Sequence, residues 1–320
     1  MTSVAIWKIC CAYIMFRSTS SFAIRSSRLL KSSLLTQKQC SSAFRLSTTV
    51  GTLKTLSPSL HLTTLSAPYH ATSRVEMVSG EEMVKDFSSP VGVDVAFAMQ
   101  TLAESDCVCF DVDSTVINEE GIDVLADYLG KGAEVAALTK EAMEGGMKFQ
   151  DALAARLELL KPSKGSIESC LRDTPLQLTA GVEELIKQLK ASGKHVYLVS
   201  GGFRIMIEPV AKVLQIDPIK NVFANTILFD DKGEYLDFDA NEPTSQDMGK
   251  PKALQIIQQS NGYKKMVMVG DGATDAQAKP PAMAFIGFGG VAVREKVKAT
   301  ADWFVTDFSD LNKIIKTYCH

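Results

Sequence analysis

Five short runs constrain this chain more than anything else in it: Cys107–Phe110, His195–Val199, Met266–Val269, Ala284–Phe288 and Trp303–Val305. Each is almost continuously apolar and bounded by Gly, Ser or Asp. A strand with one wet face alternates in polarity, whereas a strand covered on both faces does not. The runs therefore predict a parallel sheet with helices on both sides. Helical periodicity fills the gaps. Val182–Lys190 precedes Ser192-Gly193. Arg204–Leu214 contains Pro209, which predicts a kink or a late start. Lys252–Gln259 follows Pro251, a residue suited to a first turn. Alternation of this kind predicts an α/β fold, a doubly wound parallel sheet.

Two stretches break the alternation. From Glu120 to Arg172 only helical periodicity is present, as in Ile122/Leu125/Ala126/Leu129 and Leu153/Leu157/Leu160. This predicts a small helical cap, residues 119–174, inserted after the first core strand, with the catalytic core formed by 76–118 and 175–320. In Thr226–Asp239, two apolar segments flank Asp231-Lys232-Gly233, a β-hairpin signal. Residues 76–105 predict one or two amphipathic helices ahead of the first strand.

Charge separates a further piece. Residues 1–75 hold nine Lys/Arg, no Asp or Glu, and 25 Ser/Thr. Such a basic, hydroxyl-rich, acid-free segment reads as an organelle transit peptide, disordered, cleaved near residues 65–80. Its composition favours the chloroplast over the mitochondrion. The remaining 25 bases face 37 acids, a net of −12 inside an overall −3. An acidic body argues against nucleic-acid binding, which needs a basic face, and no apolar run is long enough to span a membrane. Of the seven Cys, Cys107 and Cys109 lie two apart on a predicted strand and read as small buried hydrophobes. No Cys/His spacing suggests zinc, and the few His point to chemistry without a histidine base.

Chemistry concentrates where the apolar runs end. Phe110 leads into Asp111-Val112-Asp113-Ser114-Thr115, two carboxylates that an extended chain would point the same way. Paired like charges call for a cation or a shared proton between them. Val269 leads into Gly270-Asp271-Gly272-Ala273-Thr274-Asp275, adding two acids and a backbone able to turn sharply. Val199 leads into Ser200-Gly201-Gly202, where a hydroxyl and free backbone N–H groups suit a phosphate. Lys250 and Lys252, ahead of a helix, supply positive charge. Carboxylates, a phosphate cradle and no soft ligands point to phosphoryl chemistry with Mg²⁺.

In this order the motifs resemble the four motifs of the haloacid dehalogenase (HAD) superfamily. Within it, the chain is similar to members that hydrolyse O-phospho-L-serine to serine and phosphate, the last step of serine biosynthesis. The similarity spans about residues 80–320 and includes Phe110–Asp123, Ser200–Arg204, Asn221–Asn225 and Phe285–Gly290. It implies Asp111 as nucleophile, forming an aspartyl-phosphate, and Asp113 as acid/base. It implies Mg²⁺ on the Asp111 side chain, the Asp113 backbone carbonyl and Asp271, with Asp275 supporting that shell. Ser200, Gly201, Gly202 and Lys250 would hold the phosphoryl group. Glu120 would meet the substrate ammonium and Arg156 its carboxylate. Met143 and Phe149 would line or close the pocket, and Thr274 and Arg294 would complete its back. The partner so implied is a small molecule, phosphoserine. The competing readings are a phosphatase or phosphotransferase for another small phosphorylated amine and, in a different class, a catalytically silent phosphate-binding module.

Overall fold

The computed structural model describes residues 78–143 and 147–319. The leader reading of residues 1–75 lies outside the described residues. Strands β1 (Cys107–Phe110), β2 (His195–Phe203), β3 (Val222–Asn225), β6 (Met266–Gly270), β7 (Ala284–Phe288) and β8 (Trp303–Val305) form one parallel sheet, in the order β3-β2-β1-β6-β7-β8. β4 (Ile227–Phe229) and β5 (Tyr235–Phe238) form a separate antiparallel hairpin. The chain winds from β1 toward β3, then returns to β6 on β1's other side and winds toward β8. The order thus reverses between β1 and β6, and such reversals open a crevice at the carboxyl ends of the strands.

Why the runs are continuously apolar follows from their two faces. Val108, Phe110, Val196, Leu198, Val267, Val269 and Ile286 pack on one side with residues of α2 (Val95–Ala103), α7 (Val182–Ala191), α8 (Arg204–Val213) and α12 (Phe308–Tyr318). Cys107, Cys109, Tyr197, Val199, Met266, Met268 and Phe285 pack on the other with α9 (Gly249–Asn261), Ala276 of the short α10 (Ala273–Ala276) and Val297 of α11 (Glu295–Thr300). Both cysteines are fully buried, with sulfurs 3.8 Å apart. A short helix α1 (Gly80–Val84) leads into α2.

Between β1 and β2 stand four helices, α3 (Gly121–Tyr128), α4 (Gly132–Met143), α5 (Phe149–Leu160) and α6 (Lys164–Asp173). Their apolar faces share a third cluster built on Leu125, Leu153, Leu157, Ile167 and Cys170. The hairpin joins this cluster through Ile227, Phe229, Tyr235 and Phe238, and Lys164 N donates to Gly233 O at 2.8 Å. The two chain crossings into the helical layer lie side by side as an antiparallel bridge, Ile117 against Leu178. Among the described residues, no helix is long and apolar enough to cross a membrane.

Four details depart from the sequence-based expectations. β3 is an additional strand at the sheet edge. β2 runs on through Ser200–Gly202 to Phe203 instead of ending at Val199, because a register shift against β3 absorbs the extra residues. α8 starts directly at Arg204 and carries Pro209 inside it. α9 starts at Gly249, so Lys250 stands in its first turn rather than ahead of it.

Candidate active site

β1 stops at Phe110, and the backbone closes a wide turn over Val112–Val116 in which Ser114 takes the left-handed φ of 52°. The turn, not a continued strand, brings Asp111 and Asp113 to one cavity. That cavity has a volume of about 910 Å³ at the carboxyl ends of β1, β2 and β6, under α3–α5. Its walls include Asp111, Asp113, Glu120, Phe149, Arg156, Gly201, Gly202, Lys250, Asp271, Thr274 and Arg294. Ser200 and Asp275, both fully buried, stand behind that wall. Met143 closes α4, and its side chain lies outside the described residues.

Charges interlock at the cavity floor. Lys250 Nζ sits 2.8 Å from Asp111 Oδ1 and 2.6 Å from Asp275 Oδ1. Burial works against the Lys250 charge, but the two carboxylates outweigh it and hold the ammonium above its ordinary range. Asp275 Oδ2 accepts from Gly272 N at 2.9 Å. Gly270 makes this possible, since a Cβ there would lie 2.3 Å from the Asp275 carboxyl carbon. Asp271 Oδ1 accepts from Thr115 Oγ1 at 3.3 Å. Its Oδ2 receives no hydrogen bond, although Arg294 Nη2 stands 2.8 Å away as an ion pair. Burial, reinforced by Asp111, pushes the Asp271 carboxyl up to about 8, and burial with Asp111 pushes Asp275 up to about 7.

Asp113 is oriented differently. Its Oδ1 accepts from Gly121 N at 2.6 Å and its Oδ2 from Ser200 Oγ at 3.1 Å, while Ser200 Oγ accepts from Gly202 N at 2.8 Å. Desolvation, then the Asp111 and Glu120 charges, push the Asp113 carboxyl up to about 7. Across the cavity, Glu120 Oε1 accepts from Ser114 Oγ at 2.8 Å and lies 3.3 Å from Arg294 Nη2. Arg156 Nε donates to Ala152 O at 3.1 Å. Burial pulls the Arg156 guanidinium down from its usual value against the pull of Asp123, Glu120 and Asp113. The Phe149 ring lies over Gly201, close enough that a Cβ there would come within 3.0 Å of it.

Carboxylate oxygens of Asp111, Asp271 and Asp275 lie within 4.8 Å of one another. Three buried acids, two of them held well above the usual carboxylate range and one with an oxygen that receives no hydrogen bond, suit a hard divalent cation. The side chain of Asp113 faces Gly121 and Ser200 and is not part of this group. Lys252, paired with Gln246 at 2.9 Å, stays off the floor. Sequence reasoning missed Thr115 as a partner of Asp271, Gly121 as a donor to Asp113, and Asn225 with Thr244 behind Gly201. The signal for Asn225 was the one visible for Asp111, a polar residue closing a short apolar run.

Residues 105–278 match the haloacid dehalogenase-like hydrolase family. A phosphoserine phosphatase of Drosophila melanogaster is 52% identical over 215 residues, 67% of this chain and 79% of that protein. A chloroplastic phosphoserine phosphatase of Arabidopsis thaliana is 52% identical over 208 residues, 64% of this chain and 70% of that protein. A solved substrate-bound phosphoserine phosphatase complex superimposes with a TM-score of 0.56 at 33% identity, over 67% of this chain and 98% of that one.

Proposed function

The chain belongs to the haloacid dehalogenase-like hydrolases, among the phosphoserine phosphatases, and from that premise we propose how its own residues release phosphate from phosphoserine. The observation that carries the proposal is the buried constellation at the switch of strand order: Asp111 paired to Lys250 at 2.8 Å, with Asp271 and Asp275 alongside and the Ser200–Gly202 backbone opposite.

In this reading Asp111 attacks phosphorus and the bond from phosphorus to the serine oxygen breaks. The proton on Asp113 passes to that oxygen, and serine leaves. Water then attacks the aspartyl-phosphate while Asp113, now a carboxylate, takes its proton, so that phosphate departs and Asp111 is restored. A group that must give and then take a proton works best with a pKa near the working pH, and Asp113 at about 7 suits both halves. Lys250 neutralises charge on Asp111 and on the transferring group, the main demand of phosphoryl transfer. Asp111 and Asp271 would hold Mg²⁺, with the Asp113 carbonyl, supported by Asp275. The bound ion would supply further positive charge to the phosphoryl oxygens. Glu120 and Arg156 offer an acceptor for the substrate ammonium and a planar fork for its carboxylate. Thr274 and Arg294 complete the back of the pocket, and Phe149 lines its cap side. The cap, residues 119–174, then serves to exclude bulk water from the first step.

We propose that this reaction, which yields serine, serves as the last step of serine biosynthesis. For localisation we propose the plastid. The acid-free, hydroxyl-rich segment 1–75 supports this, as does the similarity to a chloroplastic relative. A fluorescent protein fused behind residues 1–75 tests it: accumulation in plastids is expected, and a mitochondrial or cytosolic signal refutes it.

The enzymatic test is direct. Purified protein with Mg²⁺ should release phosphate from phosphoserine, and much more slowly from phosphocholine or pyridoxal phosphate; equal turnover of all three would remove the specificity assignment. Asp111→Asn should abolish both turnover and covalent labelling by the substrate phosphate, and an active Asn variant would end the nucleophile assignment.

A further inference from the structure

β2 and β3 pair regularly at Leu198↔Val222 and Val199↔Phe223, then lose register before meeting again at Phe203↔Asn225. Ser200, Gly201 and Gly202 thus stand opposite Ala224 alone. A bulge of this kind breaks the ladder and leaves backbone groups in need of other partners. Asn225, fully buried, fills the gap with its side chain: Nδ2 donates to Gly201 O at 2.7 Å, and Oδ1 accepts from Thr244 Oγ1 at 2.8 Å. The Gly201 carbonyl and the Gly202 N–H belong to one planar peptide and point to opposite edges of it. Holding the carbonyl on the β3 side therefore aims the Gly202 N–H the other way, to Ser200 Oγ, whose own hydrogen goes to Asp113.

The second hydrogen bond reaches a different motif. Thr244 lies in the turn Pro243–Ser245 just before α9. A Cβ on Gly249 would meet Thr244 Cα at 2.9 Å, so this turn packs directly on the residue preceding Lys250. One amide therefore touches both the Ser200–Gly202 bulge and the segment that carries Lys250. An amide suits this place, because it donates at one end and accepts at the other without carrying charge.

We propose that Asn225 is a positioning residue for the reaction: it fixes the Gly201–Gly202 peptide plane at the phosphoryl site and, through Thr244, sets that plane's distance from Lys250. This rests on Ser200–Gly202 being the phosphoryl cradle, as read above.

The test uses Asn225→Asp, Thr244→Val and Thr244→Ser in the full protein. Orthovanadate inhibition reports the phosphoryl end, and inhibition by the product serine reports the amine and carboxylate end. In Asn225→Asp the ionised side chain has no donor for Gly201 O, so at a pH that ionises it kcat relative to wild type should fall about 10²-fold and vanadate should bind at least about tenfold more weakly, with serine inhibition and KM within about twofold. Thr244→Val should cost about tenfold in kcat with the same split, and Thr244→Ser should restore it. The proposal is overturned if vanadate and serine binding weaken together, if neither changes, or if Thr244→Ser behaves like Thr244→Val. Should Asn225→Asp fail to fold, the Thr244 pair decides alone. A wild-type protein indifferent to vanadate would instead sink the cradle reading itself, which separates the two failures.

Discussion

Gly202 matters for what it lacks. A Cβ at this position would sit 2.7 Å from Asp113 Oδ2 and 3.1 Å from Ser200 Oγ. Asp113 cannot simply retreat, because Gly121 N holds its other oxygen at 2.6 Å. Gly202→Ala should therefore push Asp113, the proposed acid/base, out of line and lower kcat about 10²-fold, the usual cost of misplacing a reacting group by about 1 Å. Thermal unfolding should change little, since the methyl displaces a cavity-wall carboxylate and not core. Gly201→Ala makes an informative partner: its Cβ would meet only the Phe149 ring, at 3.0 Å. That ring can swing on its side chain, so the expected effect is milder and falls mainly on KM. Steady-state kinetics on both variants checks the contrast, and equal losses would show that the clash with Asp113 is not what counts.

At the scale of elements, the sheet was legible wherever a strand is apolar on both faces. Five of its six strands announce themselves this way, and three of them end in the residues that form the cavity floor and the proposed phosphoryl cradle. β3 did not, because only Val222, Phe223 and Ala224 precede Asn225 and the strand lies at an edge. The extension of β2 to Phe203 was hidden for a related reason. Ser-Gly-Gly reads as a turn, and only the side chain of a residue on another strand, Asn225, holds it as a bulge. Pairings that depend on such distant side chains leave no local trace in sequence. Neither did the stitch at the opposite ends of the strands. Asp106 Oδ2 accepts from Lys264 N and Lys265 N at 2.7 and 2.9 Å, while its carbonyl accepts from His195 N at 3.0 Å. It thereby ties together the starts of β1, β2 and β6. The Lys265 N–H is the main reason its carboxyl lies below the usual range, with burial opposing and the Lys264 N–H adding. A carboxylate with a lowered folded-state pKa stabilises above its unfolded pKa, and that contribution disappears as pH falls through the folded value. Asp106→Ala should thus lose about 1 kcal/mol at pH 7, a figure kept small by solvent screening at an exposed site. The gap from wild type should narrow below about pH 4. Urea midpoints at pH 7 and pH 3 measure this, and a gap that does not change with pH would rule out the charge as its source.

For the whole molecule, the near-neutral formal charge of −3 conceals a body at −12, and part of that excess is gathered where it costs most. Asp111, Asp271 and Asp275 are all buried within ion-binding reach of one another, and Lys250 and Arg294 only partly offset them. A fold that holds such a group together should gain stability from any cation that binds the native state and not the unfolded chain. At a free Mg²⁺ concentration of about 100 times its Kd, the gain is about 2.7 kcal/mol, or about 5–10 °C in Tm for a body of this size. The gain should be specific. Na⁺ at matched ionic strength should not reproduce it, because screening acts weakly on buried charges. Asp271→Asn should remove the Mg²⁺-dependent shift. It should also leave the metal-free Tm at or above that of wild type, since it deletes a carboxylate that burial holds up to about 8. Differential scanning calorimetry with and without Mg²⁺ reads both effects. A full Mg²⁺ shift retained in Asp271→Asn would place the ion elsewhere, and a metal-free variant much less stable than wild type would mean that Asp271 is held chiefly by Arg294 and Thr115 as a structural ion pair.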